Sequence, residues 1–113
     1  MLSRKQKKMA KILIIDDERG IRNTLKEILE FEKHDVSLAE DGAEGILKAE
    51  KGVFDIIFCD VKMPKKDGTE VLQELKAKGV NSTIIMISGH GTVETAVDCL
   101  KLGAFDFIEK PKI

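Results

Sequence analysis

Four times between Lys11 and Ile108 a short run of apolar, mostly β-branched residues gives way to a stretch with helical apolar spacing, and a fifth run closes the series. The runs are Lys11–Ile15 (KILII), Val36–Ala39, Phe54–Cys59 (FDIIFC), Thr83–Ile87 (TIIMI) and Phe105–Ile108 (FDFI). Between the first two, Ile21, Leu25, Ile28 and Leu29 recur at i, i+4, i+7 and i+8, the spacing of one helix face. Ala43, Ile46 and Leu47 mark a second helix behind Asp41-Gly42. Val71, Leu72 and Leu75 mark a third, stopped by Gly79, and Val93, Ala96, Val97 and Leu100 a fourth, stopped by Gly103. Parallel strands need a crossover, and a helix supplies it. Strict alternation therefore predicts a doubly wound α/β fold, a five-stranded parallel sheet with helices on both faces. KILII and TIIMI, apolar nearly throughout, suit strands buried on both sides.

A chain of 113 residues is one domain in size. Hydrophobic residues at 42% exclude a disordered chain. No run approaches the ~18 apolar residues of a membrane-spanning helix, so no membrane partner is expected. Arg4, Lys5, Lys7, Lys8 and Lys11 all precede the first acid, which leaves 14 basic and 20 acidic residues for the remainder. A basic N-terminal tail over residues 1–9, ahead of an acidic unit over 10–113, is not the charge pattern of a nucleic-acid-binding face. The only aromatics are five Phe, a poor supply of base-stacking platforms. Cys59 and Cys99 both sit among apolar residues, which suits buried free thiols in a reducing compartment. The basic N-terminus lacks the apolar segment of a signal peptide, and the expected location is cytoplasmic.

In open α/β sheets, ligands bind outside the carboxyl ends of the strands. Those ends carry Asp16, Asp17 and Glu18 after the first run, Asp60 after the third, Ser88 and Gly89-His90-Gly91 after the fourth, and Glu109, Lys110 and Pro111 after the fifth. Parallel strands place them all on one edge. Carboxylates held together repel, and a hard divalent cation such as Mg²⁺ relieves that repulsion. A cation, a lysine and a hydroxyl together can neutralise the oxygens of a phosphoryl group in transfer, and an aspartate can itself be the nucleophile. Taken singly, each residue also has an ordinary structural use. Asp16 and Asp17 can cap the first helix, Asp60 can serve the turns at Met63-Pro64 and Asp67-Gly68, Ser88 can be a loop hydroxyl, and Lys110 a surface lysine. Gly89-His90-Gly91 is half of a dinucleotide fingerprint with no third glycine, no Cys/His spacing suggests zinc, His34 is expected to be exposed, and His90 lies near the site.

The pattern Ile14-Ile15-Asp16-Asp17-Glu18, Asp60-Val61-Lys62-Met63-Pro64 with Asp67-Gly68, Ser88, and Glu109-Lys110-Pro111 resembles the receiver domain of two-component response regulators over residues 10–113. Met86–Val93 with Ala104–Pro111 is similar to receivers of sigma-54-dependent, nitrogen-regulation-type transcription regulators. The resemblance implies a flavodoxin-like, CheY-like sheet of order 2-1-3-4-5. It also implies that Asp60 accepts a phosphoryl group from a sensor histidine kinase, that Asp16, Asp17, Asp60 and the Lys62 backbone carbonyl hold Mg²⁺ or Mn²⁺, and that Lys110 pairs with the phosphoryl oxygens. Ser88 is the implied switch hydroxyl and Phe107 the switch aromatic. The implied partners are the kinase and an output domain of a parent protein, which for the sigma-54 type includes an AAA+ ATPase and a DNA-binding module.

Three departures stand out. Gly89 follows the hydroxyl where Ala is common, Phe107 lacks the hydroxyl of Tyr, and the chain stops after Lys110-Pro111 where a fifth helix is usual. The expectation is a receiver truncated after its fifth strand, with apolar side chains of the first, third and fourth strands exposed and with self-association as the consequence. Two other classes remain open from the residues alone: a Mg²⁺-dependent phosphohydrolase with an Asp nucleophile, against which stands the lack of an Asp-x-Asp spacing and of a cap domain, and a phosphorylation-independent interaction module.

Overall fold

The structure, a computed structural model, describes residues 9–111. What the sequence leads one to expect of residues 1–8, 112 and 113 lies outside the described residues. The order is β1 (Lys11–Ile15), α1 (Arg19–Phe31), β2 (Asp35–Ala39), α2 (Gly42–Lys51), β3 (Ile56–Asp60), α3 (Gly68–Ala77), β4 (Thr83–Ser88), α4 (Val93–Lys101) and β5 (Asp106–Glu109). All strand pairs are parallel, in the order β2-β1-β3-β4-β5. The expected fold is therefore the observed one. Strand limits shift by one or two residues. β3 starts at Ile56 rather than Phe54, because Asp55 serves the strand starts: its carboxylate accepts from the Lys11 N–H at 2.8 Å and its carbonyl from the Thr83 N–H at 2.9 Å.

The core on one face of the sheet is built from Leu13, Ile15, Ile57, Cys59, Ile84 and Met86, packed under Val71, Leu72 and Leu75 of α3. Each such aliphatic side chain contributes about 1.5–3 kcal/mol on burial. Cys59 and Cys99 are both free and buried, as expected, and burial pushes both thiols up from their ordinary range. Three helix starts are capped by side chains. Asp41 accepts from the Glu44 N–H, Asp67 from the Thr69 N–H with Glu70 bonding back to the Asp67 N–H, and Thr92 from the Thr95 N–H. Gly79 and Gly103 close α3 and α4 at positive φ, 75° and 108°. α1 closes on Lys33 at φ 71°, a left-handed residue that no glycine announces.

Four expectations need correction. The inner face of α2 is Gly42, Gly45, Ile46 and Ala49, whereas Ala43 and Leu47 face solvent. A Cβ on Gly45 would fall 2.5 Å from Ile15 Cδ1, so the helix lies too close to β1 for a larger residue. The stripe Val93, Val97 and Leu100 of α4 is 81%, 41% and 46% exposed, and the helix buries Cys99 instead. His34 is half-buried, because its Nδ1 accepts the Ala10 N–H at 3.2 Å. On the α1 side of the sheet, the β1 residues Ile12 and Ile14 are fully buried. On β3, β4 and β5 the same side holds half-buried Ile56, Phe58 and Ile85 and exposed Ile108, so the expected exposure is only partial. Among the described residues no helix is long and apolar enough to cross a membrane.

Candidate functional site

Register brings the site together. Ile15 pairs with Cys59, Asp60 with Ile87 and Ser88 with Glu109, so the strands end at nearly one level. Asp16 is the first residue past β1, Asp60 the last of β3, Ser88 the last of β4 and Lys110 the first past β5. The Lys110 N–H continues the ladder one step, donating to the Ser88 carbonyl at 2.9 Å. Asp60, Ser88 and Lys110 border a cleft of about 720 Å³ that Asp17, Glu18, Lys62 and His90 also line. A second cleft of about 570 Å³, at the opposite end of the sheet, is lined by Glu50 and Lys78, paired with each other at 3.1 Å, and by Asp55, whose carboxylate accepts the Lys11 N–H.

One carboxylate oxygen each from Asp16, Asp17 and Asp60 lie within 4.8 Å of one another. Asp16 and Asp60 are 0% and 2% exposed, while Asp17 is open to solvent. Lys110 Nζ donates to Asp60 Oδ2 at 3.0 Å and to Glu18. It stands 3.1 Å from Asp16 Oδ2, but off the line of a hydrogen bond, and its longer 3.4 Å bond goes to Oδ1. Oδ2 of Asp16 is thus buried with no donor, a rare condition for a polar atom. Burial, and next the charge of Asp16, push Asp60 up to about 7, against the pull of Lys110 and the Lys62 N–H. Burial likewise raises Asp16, opposed by the Glu18 N–H and Lys110. For Lys110, burial works to lower its affinity for a proton, but the bonds to Glu18, Asp60 and Asp16 outweigh it and hold the ammonium charged above its ordinary range.

A single ammonium cannot settle this many carboxylates. The orphaned Asp16 oxygen, the elevated Asp60 and the all-oxygen donor set fit a hard divalent cation held by Asp16, Asp17 and Asp60. Lys62 borders the same cleft, and its N–H lies 3.3 Å from Asp60 Oδ1. Ser88 is 5% exposed and its Oγ accepts the His90 N–H at 3.1 Å. Phe107, on β5 opposite Met86, is half-buried against the core.

The alternative that Asp16 and Asp17 cap α1 is not what is seen: Glu18 holds the N-cap position, and Asp16 accepts its N–H at 2.8 Å. Four contributors have roles here that the sequence did not assign them. Arg22 Nη1 donates to the Asp16 carbonyl at 2.8 Å and braces the turn after β1. Glu18 binds Lys110. Gly68 lets α3 press against the site, since a Cβ there would collide with the Asp60 carbonyl oxygen. Gly91 lies under the Phe107 ring, where a Cβ would fall 2.5 Å from Cε1. The signals were faint: a glycine behind Asp67 that also reads as turn chemistry, and an N-cap residue that caps poorly.

The family model described as response regulator receiver domain matches residues 12–112. The transcriptional regulatory protein FixJ of Bradyrhizobium diazoefficiens is 41% identical over 101 residues, covering 88% of this chain and 49% of that protein. Among solved structures, a CheY-like receiver domain protein from Methanospirillum hungatei superposes with a TM-score of 0.85 at 35% identity, over 94% of this chain and 85% of that one. NtrX from Brucella abortus gives a TM-score of 0.85 at 36% identity, over 93% of this chain and 24% of that one. The chain spans about half or less of the length of the curated relatives it matches. With a sheet of this order, acids and a lysine at its carboxyl edge, and matches over nearly its whole length, the chain belongs to the response regulator receiver domain family.

Proposed function

We propose that Asp60 is the phosphoacceptor of this receiver domain and that its phosphorylation switches the α4–β5 surface. The observation that carries the reading is the contact of a buried Asp60 carboxylate with Lys110 at 3.0 Å, beside two further aspartates. In the proposed step an Asp60 oxygen attacks the phosphorus of a phosphohistidine on a sensor histidine kinase. The new O–P bond forms as the P–N bond breaks, and the imidazole leaves with the bonding pair. Lys110 pairs with the phosphoryl oxygens, and Asp16, Asp17, Asp60 and the Lys62 carbonyl would hold Mg²⁺ or Mn²⁺. When bound, the cation supplies charge neutralisation for the carboxylates and the phosphoryl group.

Ser88 turns from the His90 N–H toward the new oxygens, and Phe107 responds on the adjacent strand. Gly91 is the common neighbour: a Cβ there would lie 3.5 Å from Ser88 Cβ and 2.5 Å from the Phe107 ring. It is followed by Thr92, the cap of α4, so displacement of the loop reaches that helix. The exposed Val93, Val97 and Leu100 are what that helix offers an output domain. In this reading residues 10–113 form one cytoplasmic receiver unit behind a basic tail, residues 1–9. It catalyses its own phosphorylation and dephosphorylation and no reaction of another substrate, contacts no nucleic acid itself, and controls transcription through an output domain.

Intact-mass analysis after acetyl phosphate and Mg²⁺ tests the assignment. The wild-type chain is expected to gain one phosphoryl group and Asp60→Asn none. Labelling that survives in Asp60→Asn overturns it, and turnover of added phosphate esters would favour a phosphohydrolase.

A further inference from the structure

Helix α1 starts on a residue that does not cap it. α2, α3 and α4 use Asp41, Asp67 and Thr92, side chains that bond first-turn N–H groups. α1 has Glu18, with extended backbone and no side-chain cap bond. Its carboxylate instead crosses the mouth of the cleft to Lys110, 92 positions away in the sequence. Lys110 therefore meets three carboxylates of unequal standing. Those of Asp16 and Asp60 are 0% and 4% exposed, and that of Glu18 is 60% exposed.

We propose that Glu18 is a positioning residue that holds the Lys110 ammonium over the site and competes with the incoming phosphoryl group for it, which sets how readily the domain captures that group. The inference rests on the reading of Asp60 as phosphoacceptor. An ammonium has three N–H donors, and here they face Asp16, Asp60 and Glu18. The first phosphoryl oxygen on Asp60 takes over the donor that Asp60 held, since the esterified carboxyl no longer carries that charge, and a second oxygen must take a donor from Asp16 or Glu18. Releasing Asp16 would strand a buried charge, whereas water replaces Lys110 at once on the exposed Glu18. Glu18 is the contact that yields. Until it does, its negative charge at the mouth of the cleft repels an anionic donor and weakens the pull of Lys110. An exposed ion pair is a weak hold, and salt screens it, so the effect is a modest tuning that fades with ionic strength.

The test is the affinity of the full chain for beryllofluoride, a phosphoryl mimic, in Mg²⁺, for wild type, Glu18→Gln and Glu18→Ala. At about 0.05 M salt both variants are expected to bind about two- to five-fold more tightly than wild type, and at about 1 M salt, where the Debye length is near 3 Å, the three should converge. Acetyl phosphate labelling rates should follow the same order. A helix-capping role would lower the melting temperature and leave these ratios at one. Equal or weaker binding by the variants at low salt overturns the inference, as does an advantage that persists undiminished at high salt. If wild type itself neither binds beryllofluoride nor takes a phosphoryl group, it is the phosphoacceptor reading that fails.

Discussion

Replacing Asp60 by Asn should stabilise the metal-free domain, by an amount that grows with pH. Asp60 is buried beside Asp16, and its carboxyl is pushed up from 3.8 to about 7. The sign follows from proton counting. Between those two values the folded protein holds a proton that the unfolded chain has released. Folding is therefore progressively disfavoured as pH rises through the window, and the full penalty is reached above about pH 7. A span of three units corresponds to about 4 kcal/mol at 1.36 kcal/mol per unit. The asparagine of Asp60→Asn keeps the shape and an oxygen for Lys110 but cannot ionise, which also relieves Asp16. Against this, Lys110 loses one charged partner, and a net gain of about 2 kcal/mol near pH 7 is expected. For a domain of this size that is a rise of about 8 °C or more in melting temperature.

The assay is thermal unfolding by circular dichroism in EDTA from pH 5 to pH 8. The gap between Asp60→Asn and wild type should be small at pH 5 and widest at pH 8. Saturating Mg²⁺ should narrow it by stabilising wild type. A gap that does not change with pH, or an Asp60→Asn variant less stable than wild type at pH 8, would refute the electrostatic account of the site.

Asp17→Ala should remove most of the melting-temperature rise produced by Mg²⁺ or Mn²⁺, a stabilisation of about 2.7 kcal/mol at a hundred times Kd in wild type; an undiminished rise would place the cation elsewhere. Gly91→Ala drives a methyl into the Phe107 ring and is expected to cost about 1–3 kcal/mol, recovered in part when Phe107→Leu removes the opposing atoms. Strictly additive costs in that double-mutant cycle would mean that the loop and the ring are not in contact. The 113-residue chain should self-associate through the face where Phe58, Ile85 and Ile108 are incompletely covered. Light scattering showing a monodisperse monomer at high micromolar concentration would contradict this.

What the sequence displayed, and what it hid, divides along a physical line. Strand runs such as KILII carry their burial in consecutive residues, and the parallel sheet follows from alternation alone, so the placement of Asp16, Asp60, Ser88 and Lys110 on one edge was legible. A helix face is also legible as a period, but the period does not say what stands opposite. Val93, Val97 and Leu100 repeat as a core stripe would, yet they lie outside because Cys99 already fills the contact with the core. In α2 the close approach to Ile15 is made by Gly45, and the lack of a side chain leaves no apolar signal to count. Least legible were polar contacts between distant residues, such as Glu18 with Lys110, and a contact such as His34 with Ala10. They have no period and arise only once the fold has brought the two segments together. The carboxyl edge with its three aspartates and lysine follows from the strand ends, whereas the third carboxylate that meets Lys110 belongs to an exposed glutamate that α1 does not use as a cap.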